Sequence, residues 1–148
     1  DGVAHTRVPG RLEIMGQSPL IVADGAHNDE SAEALANALR DYFTWRRCFL
    51  VLGCNRDKDV RGIAMKMAKL AQLIICTNFD NPRAMDPFAM IQEVGFLGPA
   101  AVAEDSVAAA LETALSHADE SDMVVVTGSL YVVAEAREYL LGESVIRR

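Results

Sequence analysis

The chain has 148 residues, of which 51% are hydrophobic, and carries a formal net charge of −7 at pH 7. This length fits a single domain that buries about two thirds of its unfolded surface without help from metals or disulfides. The acidic balance argues against a nucleic-acid surface, which would show clustered Lys and Arg, but it does not exclude a nucleotide, which needs only a few local contacts.

The first part of the chain alternates strand-like and helix-like patterns. Residues 11–15 and 19–24 are predicted as two strands joined by a turn over 16–18. Residues 48–54 form a near-continuous apolar run, which is typical of a strand buried on both faces. Between them, residues 30–43 predict a helix with one apolar face made of Ala32, Leu35, Leu39, Tyr42 and Phe43.

The middle of the chain contains the clearest amphipathic helix. Asp59 is placed to cap its start, and residues 73–77 follow as the next buried strand. A further helix is indicated by Asp86 as N-cap, Pro87 at the first helical position and Gly95 just past the end. The inward face of the clearest helix has apolar residues at helical spacing, namely Val60, Ile63, Ala64, Met67, Leu70 and Ala71.

The last third repeats the alternation. We predict a short strand over 100–103, a helix over 106–118, a strand over 122–129 and a closing helix over 130–141. Strands that alternate with helices of this length predict one α/β domain, with a mostly parallel sheet covered by helices on both faces.

The cysteines and the lengths of the apolar runs indicate the cellular compartment in which we expect the protein. Cys48, Cys54 and Cys76 include no C-x-x-C pair, so we expect buried thiols rather than a disulfide frame or a zinc site. No apolar stretch approaches the roughly 20 residues that span a bilayer. The N-terminus is polar and does not resemble a signal peptide. We therefore expect a cytoplasmic protein.

Polar side chains follow the predicted strands at the edge where a parallel sheet binds ligands. Asp24 ends the second strand, and its carboxylate could accept hydrogen bonds from the 2′ and 3′ hydroxyls of a ribose or could cap the local turn. His27 stands where a helix begins, and the positive end of the helix dipole there disfavours an imidazolium. It could bind a polar ligand or be a surface turn residue.

Ser129 and Arg11 are two further polar residues at the ends of predicted strands. Ser129 opens the final helix, where backbone amides can bind an anion, or it could simply be an N-cap serine. Arg11 enters the first strand and could be a solvated edge charge. The residues alone thus predict a polar ligand edge built from Asp24, His27 and Ser129, without naming the ligand.

Five motifs resemble the C-terminal domain of folylpolyglutamate synthases and dihydrofolate synthases, members of the Mur ligase superfamily. The resemblance covers residues 7–141 and implies a Rossmann-like three-layer domain over 9–148, preceded by a linker over 1–8. It also implies a six-stranded sheet in which the first strand is antiparallel and five strands are parallel. The motifs, in the family's order and spacing, are PGRLEIM (9–15), DGAHN (24–28), DKD (57–59), PRA (82–84) and VTGSLYVVAEAR (126–137).

The resemblance implies an ATP-dependent, amide-forming ligase that joins L-glutamate to a folate carboxylate through an acyl phosphate, with magnesium as cofactor. It places Arg11 at the nucleotide phosphates, Asp24 at the ATP ribose, and His27 and Ser129 beside the incoming glutamate, with His27 as the catalytic residue. The chain departs from the family pattern at Val8, where tryptophan is usual, and at Asp29, where proline is common.

The phosphate-binding loop of the family, G-x-x-x-x-G-K-[ST], does not occur in the chain. We therefore expect that loop and the magnesium ligands on a separate N-terminal ATPase domain of the same protein, with no metal ligands on this chain. Closure of this C-terminal domain over the ATPase domain would bring Arg11, Asp24 and His27 onto the nucleotide. The fragment alone should be monomeric, with little or no ligase activity. Its partners would be ATP, glutamate, folate and the ATPase domain, with no nucleic acid and no membrane.

The alternative is a free-standing regulatory or interaction module, either receiver-like or derived from the ligase domain, without catalysis. In a receiver, Asp24 would accept a phosphoryl group beside an acidic cluster, with a lysine on a late strand. The chain shows one strand-end aspartate and no such lysine.

Overall fold

The computed structural model describes residues 12–142. The predicted linker, Arg11 and Val8 lie outside the described residues. Six strands and five helices occur in the described part of the chain: β1 (Glu13–Gln17), β2 (Leu20–Asp24), α1 (Asp29–Tyr42), β3 (Cys48–Leu52), α2 (Val60–Ala68), β4 (Ala71–Thr77), α3 (Pro87–Val94), β5 (Ala100–Glu104), α4 (Val107–His117), β6 (Met123–Thr127) and α5 (Leu130–Leu141).

The strands form one sheet in the order β1-β2-β6-β3-β4-β5. β1 runs antiparallel to β2, and the other four pairings are parallel. Helices α1, α2 and α3 pack on one face of the sheet, whereas α4 and α5 pack on the other. This confirms the predicted Rossmann-like sheet with one antiparallel strand.

The position of β6 creates the ligand edge. β6 lies between β2 and β3, and all five residues of both β3 and β6 are buried. The helix that follows β6 covers the opposite face from the helices that follow β2 and β3. Crevices therefore open on both sides of the carboxyl end of β6, which is where ligands bind in sheets of this kind.

Most helix ends follow the predicted capping residues. The Asp59 side chain accepts a hydrogen bond from the Gly62 amide, and the Asp86 side chain accepts one from the Ala89 amide. Pro87 is the first residue of α3, and Gly95 is its C-cap. Short polar side chains satisfy amides that have no partner within the helix, so local chemistry sets these boundaries.

Three local predictions were wrong. β1 continues through Gln17, because Gly16 and Gln17 pair with β2 across the predicted turn. α2 ends at Ala68, and Ala71 joins the sheet opposite β3 instead of the helix face. Tyr42 is 67% exposed, although Phe43, predicted on the same apolar face, does pack against the core.

Two ion pairs brace the domain away from the crevices. The buried Arg137 guanidinium on α5 donates two hydrogen bonds to the Glu13 carboxylate on β1, at 2.5 and 3.1 Å. Asp122, at the amino-terminal edge of the sheet, accepts a hydrogen bond from Arg47 Nη2 at 2.8 Å. That hydrogen bond is the main reason why the pKa of Asp122 falls to about 2.

The cysteines are buried free thiols, as predicted. Burial raises the pKa of Cys48, Cys54 and Cys76 to about 12, so they stay protonated at neutral pH. Within residues 12–142, no helix is long and apolar enough to cross a membrane.

Candidate functional site

Asp24 ends β2 and organises the corner that follows it. Its Oδ1 accepts a hydrogen bond from the Leu12 amide at 2.7 Å, and its Oδ2 accepts one from the Ala26 amide at 3.0 Å. The carboxylate therefore caps the local turn, which was one of the two predicted roles. Each carboxylate oxygen has two lone pairs and can accept more than one hydrogen bond.

His27 lies just before the start of α1, and its side chain is exposed. Asn28 is the N-cap of the helix, and its Oδ1 accepts a hydrogen bond from the Ser31 amide at 2.7 Å. The imidazole Nδ1 lies 3.2 Å from the carbonyl oxygen of Gly25. Since a carbonyl can only accept, Nδ1 donates in this contact, and Nε2 is the ring nitrogen left for a ligand.

Asp24 and His27 line the same cavity, which has a volume of about 410 Å³. Ser31 also lines this cavity, while Leu35 from α1 and Leu130 from α5 contribute to its apolar wall. An apolar wall with a few convergent polar groups is the usual composition of a small-molecule site. A larger open hollow of about 670 Å³ lies at the opposite edge of the sheet and contains none of the predicted site residues.

Ser129 is the N-cap of α5 and is 6% exposed. Its Oγ accepts hydrogen bonds from the amides of Tyr131 and Val132, at 3.0 and 3.2 Å. It does not line the 410 Å³ cavity, although the next residue, Leu130, does. The amides of Ser129 and Leu130 have no acceptor within residues 12–142. They could therefore receive an anion at this helix start.

Gly128 allows three strand-end turns to touch. Its amide donates a hydrogen bond to the Ala26 carbonyl at 3.0 Å, which joins the β6 turn to the corner that carries His27. Its φ is +116°, and a Cβ added at this position would lie 2.1 Å from the Gly53 carbonyl oxygen. Only glycine fits both this conformation and this approach, so the three turns form one continuous surface.

Arg56 and Arg83, to which the sequence assigned no role, follow the ends of the neighbouring strands β3 and β4. The Arg56 amide donates to the Arg83 carbonyl at 2.8 Å, which joins the loops after β3 and β4. Both side chains are exposed, and neither forms an ion pair with a carboxylate within the described residues. The strand-end rule that selected Asp24 could have selected them too, because both follow predicted strands.

The loop after β4 is also held against α5. Phe79 stacks on Tyr131 with ring centroids 5.8 Å apart, and the Asp80 amide donates to the Glu135 carboxylate at 2.7 Å.

In the adjacent loop, the buried Asn55 Oδ1 has no hydrogen-bond partner among the described residues. Within residues 12–142, no three His, Cys, Asp or Glu side chains form a group that could hold a metal ion.

Comparison with known proteins identifies one family model that matches most of the chain. The model of the Mur ligase glutamate ligase domain matches residues 10–130. A Haloferax volcanii protein, named as a probable bifunctional folylpolyglutamate synthase/dihydropteroate synthase, is 40% identical over 137 residues. That match covers 92% of this chain and 16% of the Haloferax protein.

Solved structures agree with the sequence match. Mycobacterium tuberculosis folylpolyglutamate synthase complexed with ADP superposes with a TM-score of 0.85 at 31% identity, covering 94% of this chain and 34% of that one. A bifunctional folylpolyglutamate synthase/dihydrofolate synthase with Mn, AMPPNP and L-glutamate bound superposes with a TM-score of 0.80 at 26% identity. That match covers 91% of this chain and 32% of the solved one, so the chain spans about a third of these structures.

Proposed function

The chain belongs to the Mur ligase glutamate ligase domain family, and from this membership we propose that it forms one wall of the active site of an ATP-dependent folylpolyglutamate or dihydrofolate synthase. One observation carries the proposal: Asp24 and His27 line a single cavity beside the carboxyl end of β6. A carboxylate and an imidazole on one wall suit a reaction that binds a nucleotide next to an attacking amine.

The substrates we propose are ATP, L-glutamate and a folate carboxylate. The bound ADP of the Mycobacterium relative, and the AMPPNP, Mn and L-glutamate of the other solved structure, support this choice. ATP supplies the phosphoryl group that activates the carboxylate. This chain binds and orients the reacting groups, while a separate ATPase domain provides the phosphate loop and the magnesium ligands.

We assign Asp24 to the ribose of ATP. Its oxygens are already oriented by the Leu12 and Ala26 amides, so the carboxylate does not need to reorganise when a ribose diol arrives. Arg11 comes directly before Leu12 in the sequence. We propose that it reaches the nucleotide phosphates, although it lies outside the described residues.

We assign His27 to the incoming glutamate, as both a binding and a catalytic residue. A neutral imidazole that donates through Nδ1 to Gly25 keeps an acceptor lone pair on Nε2, which can take a hydrogen bond or a proton from the substrate amine. Ser129, with the amides at the start of α5, would receive a glutamate carboxylate. The exposed charges of Arg56 and Arg83 would attract the same anionic substrate.

The receiver-like alternative lacks its acidic cluster within residues 12–142, where no three His, Cys, Asp or Glu side chains form a group that could hold a metal ion. A phosphate-accepting aspartate needs further acidic groups close by, whereas the corner after Asp24 is built from Gly25, Ala26 and His27.

The test is a ligase assay on the full-length protein that contains this chain. We expect ADP release that requires both L-glutamate and either dihydropteroate or tetrahydrofolate. His27→Ala should lower this turnover by about a hundredfold or more, as removal of a general acid–base group does. His117→Ala is the matched control, because His117 is also exposed and its Nδ1 also contacts a carbonyl, that of Thr113 at 2.9 Å. ADP release independent of glutamate, or equal effects of the two substitutions, would overturn the proposal.

A further inference from the structure

The Ser31 side chain, in the first turn of α1, holds the main chain that carries the His27 imidazole. Its Oγ accepts hydrogen bonds from the His27 amide at 3.0 Å and the Asn28 amide at 3.1 Å. Its proton goes to Asn28 Oδ1 at 2.7 Å, the shorter of its two contacts with Asn28 oxygens. A hydroxyl has one proton and two lone pairs, so the protein already uses the full hydrogen-bonding capacity of Ser31.

This arrangement exceeds what helix capping requires. In an ordinary capping box, the side chain of the third helical residue bonds only the N-cap amide, which here is the amide of Asn28. The additional bond reaches one residue further back, to His27, which is not part of the helix. Its direct effect is on the position of the main chain at His27.

The imidazole depends on such restraints because little else holds it. The His27 side chain is exposed, so core packing does not select its rotamer. Two hydrogen bonds restrain the residue within the described part of the chain: the main-chain bond to Ser31 and the ring bond from Nδ1 to the Gly25 carbonyl. Together they determine where Nε2 lies and keep the Nδ1–H tautomer.

We propose that Ser31 is a positioning residue for the ligation reaction, acting through His27 without touching substrate. This inference rests on the proposed function, since it assigns a purpose to the placement of His27. When Ser31 loses its hydroxyl, the ring should sample positions in which Nε2 no longer meets the amine of glutamate. Misplacement by about 1 Å can cost on the order of a hundredfold in rate, so partial misplacement should cost about tenfold.

The test compares four variants in the full-length enzyme. Ser31→Ala should lower kcat/KM for glutamate by about tenfold and leave the KM for ATP unchanged. Ser31→Thr, which keeps the hydroxyl, should have the wild-type kcat/KM for glutamate. Ser31→Gln should restore helix capping, because glutamine serves this position in capping boxes, yet it should stay impaired towards glutamate. Ser106→Ala, which removes the N-cap of α4 far from His27, should have wild-type kinetics.

A second readout reports on the ring itself. The ¹⁵N shifts of the His27 ring should show the Nδ1–H tautomer in the wild type and in Ser31→Thr, and a mixture of tautomers in Ser31→Ala and Ser31→Gln. Recovery of activity in Ser31→Gln would overturn the inference, since capping alone would then explain Ser31. If His27→Ala is harmless, the proposed function fails, while the tautomer comparison still decides whether Ser31 holds the ring. If Ser31→Ala shows the wild-type tautomer, Ser31 does not hold the His27 ring and the inference is refuted.

Discussion

Replacing Gly128 with alanine should push apart the strand-end turns that form the candidate site. The added Cβ would lie 2.1 Å from the Gly53 carbonyl oxygen and 3.1 Å from Leu52 Cδ1. Because side-chain Cβ atoms essentially never come closer than 3.0 Å to a neighbour, the β6 and β3 turns must separate by at least about 0.9 Å. The carbonyl is main chain, so no side-chain rotation can relieve the clash.

Two terms contribute to the loss of stability. The φ of +116° costs a residue with a side chain about 1–3 kcal/mol, and overpacking costs about 1–3 kcal/mol more. Gly98 separates them, because its φ is +124° and an added Cβ would have nothing within 4 Å. Gly98→Ala should therefore show the conformational term alone. The difference between the two variants should be about 1–3 kcal/mol.

Urea unfolding of the chain, followed by circular dichroism, measures both variants under one set of conditions. In the full-length enzyme, Gly128→Ala should also impair glutamate-dependent turnover, because the Gly128 amide bonds the Ala26 carbonyl next to His27. Gly98→Ala should leave turnover unchanged. Equal losses of stability in the two variants would show that the close approach at Gly53 has no energetic consequence, and the reasoning would fail.

Three further predictions concern side chains. Asp24→Ala should raise the KM for ATP by about tenfold to a hundredfold, since a hydrogen bond to a charged group contributes about 1.5–3 kcal/mol. Asp86→Ala, which removes a capping aspartate of α3, is the control, and an unchanged KM in Asp24→Ala would remove the ribose role. The pKa of Asp122 is about 2 in the folded protein, below the ordinary aspartate value of 3.8 that applies to the unfolded chain. Its contribution to stability is therefore present above about pH 4 and disappears as the pH falls towards 2. Asp122→Asn should make urea stability less dependent on pH over that interval, and an unaltered profile would contradict the assignment. Glu13→Gln should cost about 3–5 kcal/mol of unfolding free energy, because it removes the negative charge from the pair that Glu13 forms with the buried Arg137 guanidinium. Adding Arg137→Met should recover much of that loss, whereas a neutral single variant would count against the pair.

Elements with their own local signals could be predicted from the sequence. α5 runs from Leu130 to Leu141 as predicted, because a serine cap and an apolar face define it. The errors arose where neighbouring elements decide the outcome. Ala71 fits the periodicity of α2 but pairs with Cys48 in the sheet. Tyr42, the last residue of α1, is exposed, while the next residue, Phe43, packs against the core.

Some residues of the candidate site could be placed from the sequence, whereas others depend on the tertiary structure. Asp24 and His27 could be placed together because they share one corner of the chain. Whether the Ser129 hydroxyl faces a ligand or its own helix amides depends on a rotamer that no spacing encodes. The closeness of Arg56 and Arg83 requires the strand order, which brings β3 beside β4.

The Asp24 carboxylate holds the start of β1 through its bond from the Leu12 amide, and the same carboxylate is the group that we propose binds the ribose. Leu12 adopts a φ of +49°, a left-handed conformation that few residues with a side chain occupy, so its backbone stores strain next to the proposed ribose position. Any displacement of the chain entering β1 must bend or break this bond and so disturb the carboxylate. Thermodynamic reciprocity then applies: a nucleotide held by Asp24 would resist movement of the entering chain, and pulling on that chain would loosen the nucleotide to the same degree.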